Sequence, residues 1–339
     1  MSYIIRRLLL LVPVLIGVSL LTFTVTRLAG DPWSAYLPNP ERATPQQIEA
    51  IKEKYHLNDP VYVQYYYWFD GVLHGDLGYS HTARQPVTQA ITTKFTATFE
   101  LAVVAMFFAV LIGIFTGTKS AVKANSAFDQ GSRLVSLIGV SIPVFWLGLM
   151  LLMLFYREWG LLPGPTGRYD VVKFSSSELH HYTYFLTVDT LLNGKFDFFW
   201  NVIKHLILPG VTLAFTSTAI IIRMMRSSML EVLGAEYVKT ARSKGLSEKV
   251  VINKHARRNA LIPTTTVIGL SFGGLLGGAV LTETIFNWNG LGQWSGFAAT
   301  SLDTAGIMGF TLVTAIIYVI ANLIVDLVYA YLDPRVRLS

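Results

Sequence analysis

The sequence predicts an all-α protein that crosses a membrane several times, and three observations support this fold class. Of the 339 residues, 52% are hydrophobic and only 14% are charged, whereas about 25% of the residues in a soluble domain are charged. Six apolar stretches are long enough for a helix to cross about 30 Å of hydrocarbon. Lys and Arg collect in alternate connecting segments, as the positive-inside rule requires.

The first span is predicted to be an anchor that is not removed. It follows Arg6-Arg7 and extends from Leu8 to Leu28, which is longer than the apolar core of a signal peptide. No small-residue cleavage pattern follows it, so residues 1–30 are interpreted as an N-terminal transmembrane helix. The six predicted spans are residues 8–28, 97–118, 134–155, 206–224, 263–285 and 305–331.

The distribution of charge predicts that both chain ends lie in the cytoplasm. The segments on that side would hold 16 of the 27 Lys and Arg residues, while most acidic residues fall in the other segments. This N-in, C-in arrangement also accounts for the net charge of +6 without nucleic acid as a partner, since no separate basic patch is present.

Two predicted outer segments are long. Residues 31–93 are expected to be a helical extracytoplasmic segment, with Thr44 and Gln47 forming a capping box around Pro45. Asp59-Pro60 begins a second helix rich in aromatic residues, which suit either the membrane boundary or a cap packed on itself. Residues 94–339 are predicted to form a five-helix core that includes the second outer loop, residues 156–204.

Two short motifs resemble catalytic sequences but fit poorly. Gly269-Leu-Ser-Phe-Gly273 matches the nucleophile elbow of serine hydrolases, in which Ser271 would be the nucleophile, yet it lies inside an apolar run. Gly269, Gly273 and Gly277, like Gly274 and Gly278, are four residues apart, which favours close helix packing. The stretch 113–120 resembles a phosphate-binding loop, but its second glycine is displaced by one residue.

The residues that commonly bind metals are too sparse to predict a metal or cofactor site. The chain has no cysteine and seven scattered histidines, with His180-His181 as the one adjacent pair. A metal needs three or four converging ligands. We therefore predict no metal, cofactor or catalytic residue in this chain.

Ionisable residues inside predicted spans are candidates for function. Asp326 is the clearest, with Asn322 one turn before it on the same helix face. A proton-coupled transporter would use such an acid, and a structural hydrogen bond to a neighbouring helix is the alternative. Glu283, near the outer end of its span, is expected to lie at the membrane interface.

A charged loop between the fourth and fifth spans has the most informative pattern. In this segment, residues 225–262 (the glycine loop), Arg242 and Lys244 precede Gly245, a typical helix stop. Ser247 and Glu248 then begin a second helix predicted to extend to about Ile262, with Pro263 opening the next span. Two short helices that meet at a glycine predict a compact protrusion.

The glycine loop resembles the cytoplasmic signature of ATP-binding-cassette importer permeases, specifically those of the dipeptide/oligopeptide class. Thr240-Ala241 is followed by three residues, then Gly245, and nine residues separate Gly245 from His255. The general signature is not matched at Lys239 or at Arg257-Arg258. The peptide-class form, Tyr-Val-x-Thr-Ala-Arg-x-Lys-Gly followed by Arg-Asn-Ala-Leu, fits nearly residue for residue.

The resemblance covers almost the whole chain. Six further motifs look like that class: Arg6-Arg7, Gly30-Asp-Pro32, Gly75-Asp-Leu-Gly78, Glu283-Thr-Ile-Phe286, Gly290-Leu-Gly292 and Asp333-Pro-Arg335. It implies the type I importer permease fold in the cytoplasmic membrane of a prokaryote. The implied partners are a second, homologous permease, two ATPase subunits that bind ATP and Mg, and an extracytoplasmic solute-binding protein.

In such a complex the glycine loop would contact the ATPase and couple its motion to the membrane helices. The residues to which this role is transferred are Tyr237, Thr240, Ala241, Arg242, Gly245, Leu246 and His255. The candidates for helix packing or the transport pathway are Gly269, Gly273, Gly274, Gly277, Asn322 and Asp326. The expected substrate is a peptide; an oligosaccharide is the alternative, and a proton-coupled carrier that uses Asp326 is an alternative of another class.

Overall fold

A computed structural model describes residues 2–29, 33, 36, 37, 42–277 and 279–332, except for the side chains of 2–11, 29, 326 and 329–332. The described residues are mostly helical, with one short hairpin. The elements are α1 (Ser2–Ala29), α2 (Pro45–Lys54), α3 (Val61–Leu73), β1 (Tyr79–Ser80), β2 (Gln85–Pro86), α4 (Val87–Val122), α5 (Ala127–Ser141), α6 (Val144–Leu151), α7 (Leu186–Leu192), α8 (Phe196–Leu233), α9 (Glu236–Ser243), α10 (Glu248–Val250), α11 (Arg257–Leu276), α12 (Val280–Ile285), α13 (Leu291–Thr300) and α14 (Thr304–Leu332). Segments Leu152–Glu158 and Val251–Ala256 are π-helical, Ser176–Glu178 is a 3₁₀ turn, and β1 pairs antiparallel with β2.

Four helices within the described ranges are long and apolar enough to cross a membrane. They are Val87–Val122, Phe196–Leu233, Glu248–Leu276 and Thr304–Val325. A fifth candidate is the bent pair formed by α5 and the helix after it, and α1 contains a shorter apolar segment, Val12–Leu28. The prediction of several apolar helices is confirmed.

Two of the predicted spans are not continuous helices. Residues 134–155 are interrupted because Ile142, which precedes Pro143, is extended, and the two helices meet at 103°. A residue before proline is disfavoured in the α conformation. Residues 263–285 are interrupted after Leu276, where the sequence continues with a glycine pair, and glycine is a poor helix former.

The helix predicted in the 31–93 segment is confirmed in detail. The Thr44 hydroxyl accepts from the backbone N–H of Gln47, and the Gln47 side chain accepts from the backbone N–H of Thr44, with Pro45 at the first helical position. The second helix starts after Pro60, also as predicted. The Gly30-Asp-Pro32 and Asp333-Pro-Arg335 motifs lie outside the described residues.

The chain divides into two compact units. The first comprises residues 1–99, 166–200 and 276–319. One of its cores contains Phe23, Trp68, Met308 and Leu312, with Tyr65 and three other aromatic or apolar side chains of the 31–93 segment packed against it. This packing accounts for part of the dense aromatic stretch, while Tyr62 and Tyr66 remain exposed.

The first unit also contains a buried carboxyl group whose partners were not predicted. Glu283, predicted to lie at the membrane interface, is fully buried within the protein. It accepts a hydrogen bond from the Thr98 hydroxyl at 2.7 Å and one from the backbone N–H of Gln293 at 2.9 Å. Its donors come from α4 and α13, so no local pattern around Glu283 indicated them, and buried charges require such partners.

The second unit comprises residues 100–165, 201–275 and 320–339. Here α4 lies very close to α8, because a Cβ added at Gly113 would be 2.6 Å from Ile221 Cγ2 and one at Gly117 would be 2.7 Å from Met225 Cβ. The stretch 113–120 is therefore a helix that uses its glycines for packing. It is not a phosphate-binding loop.

Candidate functional site

The first residues of the glycine loop belong to the last turns of α8, and the part after Leu233 is built around the short helix α9. Lys244 ends α9, and Gly245 follows with φ of 76°, a left-handed conformation that favours glycine. The Gly245 N–H donates to the Arg242 carbonyl at 2.9 Å. The predicted helix stop is confirmed, and the chain reverses direction at an exposed position.

The inner face of α9 gives the loop a small core of its own. Val238 and Val251 are completely buried and Ala241 is nearly so. These three side chains form one apolar cluster, with Val232 of α8 packed against it. The loop is thus a packed knob rather than an extended connection.

The outer surface of the knob carries most of the predicted coupling residues. Tyr237 and Leu246 are 44% and 40% exposed, and Thr240, Arg242 and Gly245 are also exposed. Ala241, by contrast, faces the core. The structure therefore separates one buried member of the set, Ala241, from residues available to a partner.

An exposed ion pair crosses the turn at Gly245. Arg242 donates two hydrogen bonds to Glu248, from Nε at 3.1 Å and from Nη2 at 2.7 Å. The hydrogen bond to the Glu248 carboxylate raises the pKa of Arg242. This bidentate geometry orients the start of the second helix with respect to α9.

The second helix differs from its prediction. It does not end near Ile262 but continues from Glu248 to Leu276, with a π-helical segment at Val251–Ala256 and Pro263 inside α11. Proline costs a helix one backbone hydrogen bond, but packing of α11 against α8 and α4 retains the helix. Ser247 occupies the N-cap position without a side-chain cap.

His255 lies in the π-helical segment and is linked to Tyr237 through Asn259, which was not among the predicted coupling residues. The Asn259 amide donates to the Tyr237 hydroxyl and to the His255 carbonyl, each at 2.9 Å. Asn259 belongs to the Arg-Asn-Ala-Leu motif, and this motif is the sequence feature from which its role could have been predicted. It fastens α9 to α11.

The four candidate glycines and Asn322 lie in or beside α11 and α14. A Cβ at Gly269 would be 1.8 Å from Val325 Cγ2, whereas one at Gly274 would meet nothing within 4 Å. Gly273 is buried, Gly277 lies in the turn after α11, and Asn322 is half-buried. The side chain of Asp326 lies outside the described residues.

The described residues offer no obvious catalytic or metal centre. Ser271 is within the continuous helix α11, not in the strand-turn-helix setting that the elbow motif needs. No group of three His, Cys, Asp or Glu side chains in the described ranges is placed to hold a metal. His181 instead contacts Asp189, at 3.3 Å.

A long apolar groove of about 830 Å³ runs along α4, α5 and α8 in the second unit. Its lining includes no charged side chain, and hydroxyl groups come only from Thr116, Ser132 and Thr218. A peptide backbone needs several convergent donors and acceptors. The groove therefore suits an apolar occupant rather than a peptide.

Two family models together match nearly the whole chain. Residues 109–338 match the binding-protein-dependent transport system inner membrane component, and residues 1–102 match the N-terminal part of such a membrane component. A solved structure of the MetNI methionine ABC transporter, in inward-facing conformations, covers 72% of this chain and 97% of its own, with a TM-score of 0.53 and 17% identity. That likeness shows the fold.

Curated relatives match along their full length. The dipeptide transport system permease protein DppB of Alkalihalophilus pseudofirmus is 46% identical over 99% of both chains, and that of Escherichia coli K12 is 42% identical over 99% of both. The di/tripeptide transport system permease protein DppB of Pseudomonas aeruginosa is 43% identical over 99% of both. This chain belongs to the family of binding-protein-dependent transport system inner membrane components, the permease subunits of ATP-binding-cassette importers.

Proposed function

We propose that this chain forms half of the translocation pathway of an ATP-driven importer of di- or oligopeptides. The full-length similarity to permeases named for dipeptides and di/tripeptides supports a peptide substrate. The observation that carries the mechanism is the self-packed knob around Gly245, because a rigid protrusion between two long helices suits contact with a motor subunit.

The proposed topology has six membrane-spanning helices with both chain ends in the cytoplasm. It adds α1 and the bent pair to the four long apolar helices. On this topology the glycine loop is cytoplasmic, and the 31–93 and 156–204 segments face a solute-binding protein outside. The protein would reside in the cytoplasmic membrane of a prokaryote.

The proposed complex contains this chain, a second homologous permease, two ATPases and the binding protein. ATP and Mg are bound by the ATPases, and this chain itself catalyses no reaction. ATP binding would open the pathway towards the loaded binding protein, and hydrolysis would return it inward.

An energy comparison favours shape over charge in the coupling step. Moving a two-state transporter from mostly one state to mostly the other takes about 5.5 kcal/mol of differential binding. Exposed ion pairs contribute about 0–1 kcal/mol each and many contribute nothing measurable, so charge alone would reach that figure only if more than about five ion pairs each gave the maximum. A packed knob transmits displacement through its apolar core, while its charges orient the partner.

Gly245→Trp tests the coupling role. A bulky residue at a left-handed position adds strain of about 1–3 kcal/mol and alters the exposed turn. Since about 1.4 kcal/mol is tenfold in affinity, we expect about fivefold to 150-fold weaker ATPase association, measured by co-purification, with parallel loss of uptake. Normal association and normal uptake would refute the coupling assignment.

Gly194→Trp is the matched control. Gly194 also has positive φ, of 68°, and open space around its Cβ position, but it lies in the 156–204 loop. We expect the Gly194→Trp variant to retain the ATPases.

The peptide assignment is tested by a separate experiment, mass spectrometry of the ligand that co-purifies with the binding protein. If that ligand is an oligosaccharide, the proposed peptide substrate is replaced by an oligosaccharide.

A further inference from the structure

A buried carboxylate in the second unit joins three chain segments at one point. Asp129, in the first turn of α5, is completely buried. Arg226 of α8 donates to both of its oxygens, from Nε at 2.6 Å and from Nη2 at 2.7 Å. Ser120 of α4 donates at 2.5 Å, and the backbone N–H of Asn125, in the α4–α5 turn, donates at 2.9 Å.

Apolar packing surrounds this polar centre on the side of the glycine loop. Ala121 of α4, Met225 and Met229 of α8, Ala256 of the π-helical segment and Ala260 of α11 form one cluster. The α4–α5 corner, the end of α8 and the start of α11 are therefore in contact around Arg226.

Val232 connects this cluster to the knob. It packs against the Met225 cluster and also against the Val238–Ala241–Val251 core. Only two helical turns of α8 separate Arg226 from the end of that helix at Leu233. A continuous path of packed side chains thus leads from the knob to Asp129.

The ion pair adds a constraint that apolar contacts lack. Methionine side chains are flexible and adapt when helices slide. The planar guanidinium of Arg226 instead matches the carboxylate in one bidentate geometry, and separating the two would leave a buried charge without its partner. The pair therefore fixes α5 to α8 in a single register.

We propose that Arg226 and Asp129 are positioning residues that make the α4–α5 corner (residues 119–133) move with the glycine loop as one body. A displacement of the knob by the ATPase would then pass through α8 to α5, the first helix of the bent pair. This proposal rests on the proposed coupling role of the glycine loop, and it assigns the first membrane element that receives the motion after the two helices that flank the loop.

The absence of cysteine from the sequence allows a direct test. Spin labels are attached to Lys123→Cys in the corner and Ser243→Cys in the knob, both exposed, in the whole complex without nucleotide and with ATP under conditions that block hydrolysis. We expect the distance distribution between the labels to be unchanged by ATP. A shift beyond the width of the distribution would overturn the proposal.

The second experiment measures the same label distance in variants that lack the Arg226–Asp129 ion pair. Arg226→Gln leaves a buried carboxylate, so the double variant Asp129→Asn with Arg226→Gln is included to retain polar contacts without an isolated charge. In both variants we expect ATP to shift or broaden the label distance. A distance that remains fixed without the ion pair would overturn the proposal.

Transport measurements separate positioning from simple structural support. Uptake of a radiolabelled dipeptide and ATP hydrolysis are measured on assembled complex in proteoliposomes with the binding protein. We expect the ratio of peptide imported to ATP hydrolysed to fall about fivefold or more in the pair variants, with Arg226→Lys intermediate because one point charge replaces the fork. An unchanged ratio, with less complex assembled, would show structural support alone and overturn the proposal.

Lys123→Gln is the matched control, since it removes an exposed cation from the same corner without touching Asp129. It is expected to keep the wild-type ratio. Failure of the Gly245→Trp prediction would be seen in ATPase association, which the label distance does not measure, so the two proposals fail separately.

Discussion

The glycine loop and the 156–204 loop are held together in opposite ways. The knob has an apolar core of Val238, Ala241 and Val251 and keeps its charged residues outside. The 156–204 loop is organised around the carboxylate of Asp189, which is completely buried. The loop to which we assign the coupling role is built like a small core, whereas the other loop is a hydrogen-bonded cap.

Defined hydrogen bonds hold the centre of the 156–204 loop together. Asp189 accepts from the backbone N–H and hydroxyl of Thr183 at 2.9 and 2.8 Å, and His181 lies 3.3 Å away. Asn193 exchanges two hydrogen bonds with the backbone of His180. The difference between the loops predicts different responses to mutation, pH and salt.

The largest effect is expected from Val238→Asp. This substitution places a carboxylate in the apolar core of the knob, where it lacks hydrogen-bond donors like those that surround Asp189 in the other loop. An unpaired buried charge costs about 3–5 kcal/mol, enough to open a three-residue core. Hydrogen exchange over 236–256 should rise to that of an unfolded segment, and ATPase co-purification should be lost. Val238→Ala, which leaves a smaller cavity, should retain both in part; equal behaviour of the two variants would contradict the apolar-core explanation.

Asp189→Asn should open the 156–204 loop and leave the knob closed. It removes the charge that hydrogen bonds from Thr183, His181 and the Tyr184 backbone stabilise, and an unsatisfied buried group costs about 1–3 kcal/mol. Amide exchange should increase across 180–193 while ATPase association stays at wild-type levels. Asp197→Asn, at an exposed acid nearby, is the control and should change neither measurement.

Acid should act on the two loops differently. Burial acts to raise the pKa of Asp189, but hydrogen bonds from Thr183, His181 and the Tyr184 backbone outweigh it, so the net pKa is below the usual value. The carboxylate therefore stabilises its loop above the unfolded pKa of about 3.9, and that stabilisation is lost as the pH falls through the folded pKa.

The measurement is amide exchange, corrected for intrinsic rates, as the pH is lowered from 6 to about 3. Protection of 180–193 should fall with acid, and that of 236–243 should fall less because its core contains no titratable group. In Asp189→Asn the acid-dependent loss should vanish. An equal loss of protection in both loops would contradict the proposed difference in their response to acid.

The smallest effect is expected from Arg242→Ala. Its partner Glu248 is exposed and salt screens such a pair, so uptake should fall by about twofold or less. High salt should reduce wild-type uptake towards that of the variant. A loss as large as that from Val238→Asp would show that charge, not shape, drives coupling.

Local patterns predicted the local features well. The Thr44 capping box and the stop at Gly245 were correct because each depends on residues within four positions of one another. The break at Ile142–Pro143 was also present in the sequence, but continuous hydrophobicity was given more weight than the proline.

Features that join distant segments could not be predicted. The Arg226–Asp129 pair spans 97 positions, and neither residue is unusual in its own neighbourhood. The burial of Glu283 was not predicted, because its donors, Thr98 and Gln293, lie on α4 and α13. Of the coupling set, sequence resemblance supplied the residues, but only the structure shows that Ala241 is inside and Leu246 outside.

The π-helical segment at Val251–Ala256 has a consequence for how the family can vary. A π turn accommodates extra backbone within a helix, and each residue of an α-helix advances the side-chain direction by about 100°. Deleting one residue there would restore a regular helix and leave the later side chains of α11 near their present directions, because the wide turn would no longer have an extra residue to absorb. A deletion between this segment and Gly269 would instead rotate Gly269 by about 100° and carry it away from Val325. A change of one residue in length therefore disturbs helix packing less in this short segment than in the regular part of α11.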